Sequence, residues 1–596
     1  MGAARACYLR SMEGDSLQYA RIHPRRPAFL AVAWLLAGAC VGDSEGSTVG
    51  LSATGTASTG AGPASATETS GATTQGTGTA GTASTTGTGG ATGATEATDG
   101  TGGTNGCPGI CFDVGVGTAG IDMGVPPPSC KVVDGMDAVG DCTDKAPPDA
   151  FEPETQWDFT GPAGFSWSIV TPLVANLTDD NDDGEIDLCD VPDVVVVAGP
   201  EVLSDTAPSR LYVLDGATGT PHFFAPQLVQ FAATPAIGDI DGDLLPEIVT
   251  VGPAGAFQLV AFEHDGTVKW NSTFTWTSAQ SSAVALADVD ADGDVEIIAG
   301  TNLLDHEGNL VWSNPGDTTY SASTAADLDD DGQLEILTAA GVFRADGSTY
   351  FTYPGVSGWA HPQVADLDDD GLPEVLLSTN SGFMLFEHDG TLVYGPLAPT
   401  GATFDWNRPI NVHNMDDDPS AEFGAADPSH YAIYDGDGSI VWQKDIIDTS
   451  GQAGGTAFDF IGKGSAQAIY ADEQTVWVFD DMGNVLMSVP HLSGTVIEYP
   501  TVADIDNDGS AELLVVSNAM WWQGTPVPFT VRAIRDVQDR WVQARRIWNQ
   551  HTYHVTNVRE DGTIPQFEPK HWTLLNTFRT QAQIEDGGVC KPKPEG

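Results

Sequence analysis

Residues 326–339 read Ala-Asp-Leu-Asp-Asp-Asp-Gly-Gln-Leu-Glu-Ile-Leu-Thr-Ala. Carboxylates stand at the first, third and fifth loop positions (Asp327, Asp329, Asp331), a glycine at the sixth (Gly332), and another carboxylate at the ninth (Glu335), where an apolar run begins. Calcium takes about six to eight oxygen ligands, and a tight loop offers them from alternate positions if its sixth residue turns sharply, which glycine does at no steric cost. The run Glu335-Ile336-Leu337 is short and rich in strand formers, so the loop is expected to lead into a strand and not into the helix that flanks an EF-hand loop.

The pattern recurs. Complete copies are Asp288, Asp290, Asp292 and Glu296; Asp366, Asp368, Asp370 and Glu374; and Asp504, Asp506, Asp508 and Glu512. Asp239, Asp241, Asp243 and Glu247 form a copy with Leu244 at the glycine place; Asn414, Asp416, Asp418 and Glu422 form one with Pro419 there. An earlier unit, Asp179, Asn181, Asp183 and Asp187, runs on to Asp190 and completes a twelve-residue EF-hand-type loop. A degenerate unit keeps Asp459 but has Ile461, Lys463 and Gln467 at the other ligand places, so no metal is expected there. Three or four carboxylates converging without a cation repel one another, so about seven calcium sites are expected.

The units start roughly 39 to 60 residues apart, about the length of a four-stranded propeller blade. After most loops comes an Asp-Gly or Glu-Gly hairpin cue ending on an aromatic, as at Trp270, Trp312, Tyr394 and Trp442. These rings are expected to pack blade against blade. The fold class predicted is all-β: a β-propeller of about eight four-stranded blades, with seven possible if the first unit is an appended loop.

The D-x-D-x-D-G-x-x-E cores resemble the FG-GAP repeats of integrin α-chain propellers and the VCBS-type repeats of bacterial surface proteins, over roughly residues 165 to 545. The resemblance implies a propeller with calcium in a hairpin loop of each blade. The FG and GAP signatures themselves are largely absent. The stretch from Arg545 to Pro565 is similar to the end of related bacterial propeller proteins, and His551 and His554 within it read as packing or closure and not as metal ligands.

Outward from the repeats, 1–39 reads as a lipoprotein-type signal peptide. Arg21, Arg25 and Arg26 precede an apolar run that ends Ala37-Gly38-Ala39-Cys40, placing the lipid on Cys40, with plain secretion as the fallback. Residues 40–106 form a Thr/Gly/Ser tether expected to be disordered, 107–150 a Cys-containing neck, 151–549 the propeller and 550–596 a C-terminal closing segment. Within the tether Gly42-Asp43-Ser44-Glu45-Gly46 matches G-x-S-x-G but lacks the strand-to-helix turn a hydrolase needs. Cys107, Cys111, Cys130, Cys142, Cys189 and Cys590 suggest three disulfides of open connectivity.

With 83 acidic against 23 basic residues the formal charge is −60, which argues against nucleic-acid and anionic-membrane partners. The expectation is a monomeric, exported, non-enzymatic adhesion propeller, cell-surface or periplasmic, with its lipid anchor in the outer membrane sooner than the inner. It would bind protein or glycan and touch the membrane only through its lipid. A polysaccharide-acting, lyase-like enzyme and an envelope-assembly scaffold are the alternatives.

Overall fold

A computed structural model describes residues 129–593, apart from 137, 203, 205, 399–407, 417, 451, 452 and 523. The signal, Cys40, the tether, Cys107 and Cys111 lie outside the described residues. The described chain is a β-propeller, and its one α-helix is the single turn His571–Leu574. Seven antiparallel sheets follow one another, each with four consecutive strands: sheets 1 to 7 span 173–224, 236–275, 282–313, 324–351, 360–397, 411–445 and 455–490. Sheet 8 has three consecutive strands within 501–536 and takes its fourth, Pro153–Phe159, from the N-terminal side, paired antiparallel with Val531–Asp536.

Burial follows from this stacking. A second strand such as Glu374–Thr379 is covered on both faces and buried throughout, whereas a fourth strand such as Val268–Thr275 keeps exposed positions. The apolar residues group between neighbouring sheets. Sheets 2 and 3 share one cluster, sheets 7 and 8 another, and Val194–Ala198 of sheet 1 packs with Leu514 and Val531 of sheet 8. Shared burial therefore links the last sheet back to the first.

The hairpin aromatics pack as expected between sheets. Trp270 lies on Gly308 of the next sheet, Trp312 on Gly347 and Trp442 on Gly483. A Cβ at Gly308 would come within 2.8 Å of the Trp270 ring, so the turn glycine leaves room for the indole. Trp157, on the borrowed strand, takes the same place on Gly219 of sheet 1 and donates its Nε1–H to the Gly216 carbonyl at 2.6 Å.

Closure therefore belongs to the N-terminal strand, where the sequence reading gave it to 550–596. The C-terminal chain instead lies across the first strands of the sheets. Trp548 exchanges two backbone hydrogen bonds with Val174 of sheet 1, and Phe578 does so with Val412 of sheet 6. The Asn549 carbonyl accepts from Ile237, the Gln550 side chain from Leu286, and the Asn576 side chain from Asp366. Thr552 donates to Ser323, Gln581 to Val502, and the Arg579 carbonyl accepts from Thr456. Each of the eight sheets is tied to this one segment, so it fills the space the first strands surround, and Ile547, Trp548, Asn549 and Tyr553 are fully buried.

Two disulfides fasten the ends: Cys142–Cys590 joins the neck to the C-terminal strand Gly588–Lys591, and Cys130–Cys189 joins it to the first acidic loop. Trp157→Ala should lower stability by about 3–5 kcal/mol, the usual loss for truncating a buried indole. Thermal melts check this; a change under about 1 kcal/mol would show that the borrowed strand does not hold the ring.

Candidate metal centres in the sheet loops

Each acidic loop joins the first strand of a sheet to its second. In sheet 5 it runs between Ala360–Ala365 and Glu374–Thr379. Asp366 accepts the backbone N–H groups of Asp370 (3.2 Å) and Gly371 (2.9 Å), and Asp370 accepts that of Leu372 (2.8 Å). Two left-handed residues, Asp369 (φ 62°) and Gly371 (φ 88°), bend the chain so that alternate side chains face inward. In sheet 2 the glycine place holds Leu244, which adopts the same hand (φ 71°) at a cost of roughly 1–2 kcal/mol. Glu374 closes the loop: its Oε2 accepts the N–H of Leu367 at 2.6 Å.

That last bond recurs for Glu247, Glu296, Glu335, Glu422 and Glu512, each accepting the N–H seven residues earlier. The second oxygen is the informative one. Oε1 of Glu374, Glu422 and Glu512 is buried and has no hydrogen-bond partner. One carboxylate oxygen each from Asp288, Asp290 and Glu296 lies within 4.8 Å of the others, as in the Asp239, Asp241 and Glu247 group.

Burial, and then neighbouring aspartates, push these acids up: Glu296 and Glu374 to about 8, Glu422 to about 9, Asp504 to about 7 and Asp506 to about 6. Glu512 rises well above the carboxylate range for the same reasons. Buried carboxylate oxygens that are orphaned and crowded by like charge fit a metal ion, which would complete their coordination and hold them ionised.

The first unit is built differently. The residue opening its second strand, and accepting the Leu177 N–H at 2.9 Å, is Asp193 and not Asp187. Asp179–Asp190 is thus an inserted loop. Asp179 accepts from Asp183 and Gly184, Asn181 from Asp183, and Asp190 from Asp180, Asn181 and Asp187. Lys131 reaches Glu185 at 3.1 Å, Asp183 at 3.9 Å and also Asp187. Asp193, Asp180 and His222 form a separate group able to hold a metal. Sequence reading missed Asp193, although Pro192-Asp193-Val194 mirrors Pro246-Glu247-Ile248 and Pro373-Glu374-Val375.

Two loops meet a basic side chain that sequence reading also missed. Lys269 contacts Asp241 (2.6 Å), Glu247 (3.0 Å) and Glu263 (3.1 Å); Arg344 contacts Asp329 (2.7 Å), Glu335 (3.3 Å) and Asp331 (3.5 Å). In sheet 6, Asn414 donates to the Asp418 carbonyl at 2.7 Å and Asp418 accepts the Ser420 N–H. The degenerate loop of sheet 7 keeps its shape through Gly462 and Gly464, but Gln467 Oε1 accepts the Phe460 N–H, and Lys463 pairs with Asp481. His551 and His554 lie buried in the axial segment, His554 Nε2 against Glu568 at 2.6 Å. Arg540 pairs with Asp536 and Arg546 with Glu560, while Arg545 donates to the Val555 and Val558 carbonyls.

Fold and loops together define a propeller with acidic, metal-competent blade loops. Residues 239–299 match the FG-GAP-like repeat family. Among solved structures the chain is similar to the Vibrio cholerae biofilm matrix protein Bap1, at 20% identity and TM-score 0.63, covering 74% of this chain and 100% of that one. It is also similar to the Bacillus licheniformis rhamnogalacturonan lyase PL11, at 15% identity and TM-score 0.46, covering 74% and 82%. No curated protein matches the sequence.

Glu374 supplies a signed test. Its folded-state pKa is raised to about 8, so in metal-free protein its contribution to stability is full below about pH 4.3, the unfolded value, and is lost as pH rises toward 8. Glu374→Gln should therefore melt higher than the parent in chelator at pH 8, with the gap closing at pH 4, and lower than the parent when metal is added. The same order of melting temperatures in both conditions would contradict a metal role for Glu374.

Proposed function

We propose that the protein is an exported, lipid-anchored propeller that binds protein or glycan at the cell surface and is held rigid by calcium in its blade loops. The observation that carries this is the axial segment. With 545–581 bonded to all eight sheets, the axis is occupied by the chain's own residues, and the outer faces and loops remain as contact surface. All-oxygen carboxylate sets favour calcium over softer metals. At weak extracellular-type sites of about 10⁻⁴–10⁻³ M, ambient calcium outside the cell suffices to fill them. Seven loops are candidates, counting the inserted Asp179–Asp190 loop. The two disulfides suit an oxidising compartment, and no described helix is long and apolar enough to cross a membrane. The likeness to a biofilm matrix protein agrees with surface placement, as a likeness of fold.

The test is calcium-dependent retention of the protein on immobilised glycans and on intact cells, with Cys40→Ser to free it from the membrane. Retention lost in chelator, and release of the serine variant into the medium, are the expected results. Absence of retention on every glycan and cell surface would contradict the binding role, and release of unsaturated sugars from a polysaccharide would replace it with lyase activity.

A further inference from the structure

The loops divide according to what meets the second oxygen of the closing glutamate. In sheets 5, 6 and 8 that atom is buried and without a hydrogen-bond partner. In sheet 2 the equivalent Oε1 of Glu247 receives Lys269 Nζ at 3.0 Å, and in sheet 4 that of Glu335 receives Arg344 Nη1 at 3.3 Å. The two cations touch more than one loop ligand each: Lys269 also Asp241, and Arg344 also Asp329 and Asp331.

Their placement is specific. In each sheet the pairing of third and fourth strands carries a bulge, which re-aims one side chain. The bulged residue is Lys269 in sheet 2 and valine in sheets 3, 5 and 6 (Val311, Val393, Val441). In sheet 4 it is Tyr350, whose ring lies 4.5 Å under the Arg344 guanidinium. Arg344 itself stands where the neighbouring sheets have an acid before the turn, as at Glu263, Asp305 and Glu387.

Resting on the calcium reading, we infer that Lys269 and Arg344 are tethered cations occupying the ion position of sheets 2 and 4, so that these two loops are held without metal while sheets 3, 5, 6 and 8 depend on it. An ammonium on four methylenes supplies one positive charge and three donors to carboxylates that would otherwise need an ion. Because it is attached to the chain, it cannot be removed by a chelator. Part of the ring then keeps its loops when calcium is withdrawn, and the loss should concentrate in the sheets with valine at the bulge and in sheet 8.

The test counts calcium per chain by equilibrium dialysis and metal analysis, beside chelator melts, for the parent, Lys269→Met, Arg344→Met and Val311→Lys. Each methionine variant should gain one ion per chain and a larger drop in Tm on chelation; Val311→Lys, at a half-exposed site on sheet 3, should lose one ion. A parent that binds calcium but whose count stays the same in all three variants overturns the inference and leaves the calcium reading standing. Parent and variants that all bind no ion overturn both. Should the methionine variants fold poorly, the loss of one ion in Val311→Lys still decides between these outcomes.

Discussion

A strand that is buried on both faces cannot end beside three or four carboxylates unless something positive meets them. That constraint recurs at the turn between the first and second strands of almost every sheet. The closing glutamate is pinned by one oxygen to the backbone N–H of the loop, which fixes where its other oxygen lies. The loop's left-handed turns then set the aspartates around the same point. Burial makes the arrangement unfavourable for the charged acids alone, as the upward displacement of Glu374, Glu422 and Asp504 shows. A cation at that point would convert the repulsion into a clamp joining two strands and the loop between them.

The rest of the architecture takes its order from the ring. A repeat sheet buries its faces only against neighbours, so the last must meet the first, and the borrowed strand with Trp157 makes the join. The first strands then surround an axis lined with backbone groups and buried polar side chains. Gln550, Thr552, Asn576 and Gln581 in the C-terminal segment satisfy many of them. Its amides and hydroxyls are matched to different sheets, which explains why this stretch is rich in polar residues yet buried. The Cys142–Cys590 bond holds the two chain ends of this assembly together.

Much of this was legible in the sequence because the repeat is local. Ligand spacing, the turn glycine and the following apolar run sit within fourteen residues, and their physics needs no tertiary information. What sequence reading missed depends on pairing between distant segments. The closing strand at 153–159 carries no acidic loop to mark it, and the C-terminal segment has no periodicity because it bonds to eight different partners. The first unit misled by offering a complete loop of its own: Asp179–Asp190 masked Asp193, which sits where the sheet needs its acid. Lys269 and Arg344 escape the loop pattern because one enters from a fourth strand and the other from the turn that precedes one. The signal, tether and Cys40 lie outside the described residues and stand as expectations.

The most direct measurement is a thermal melt at pH 7.5 of the intact chain, as purified and after exhaustive chelation, with calcium counted by mass spectrometry in both. Each site held at a hundredfold over its dissociation constant adds about 2.7 kcal/mol. Several bound ions per chain are expected, with a marked fall in Tm on chelation that added calcium reverses. A chain that carries no calcium and melts identically in chelator would contradict this, and the buried acids would then have to be protonated, not clamped.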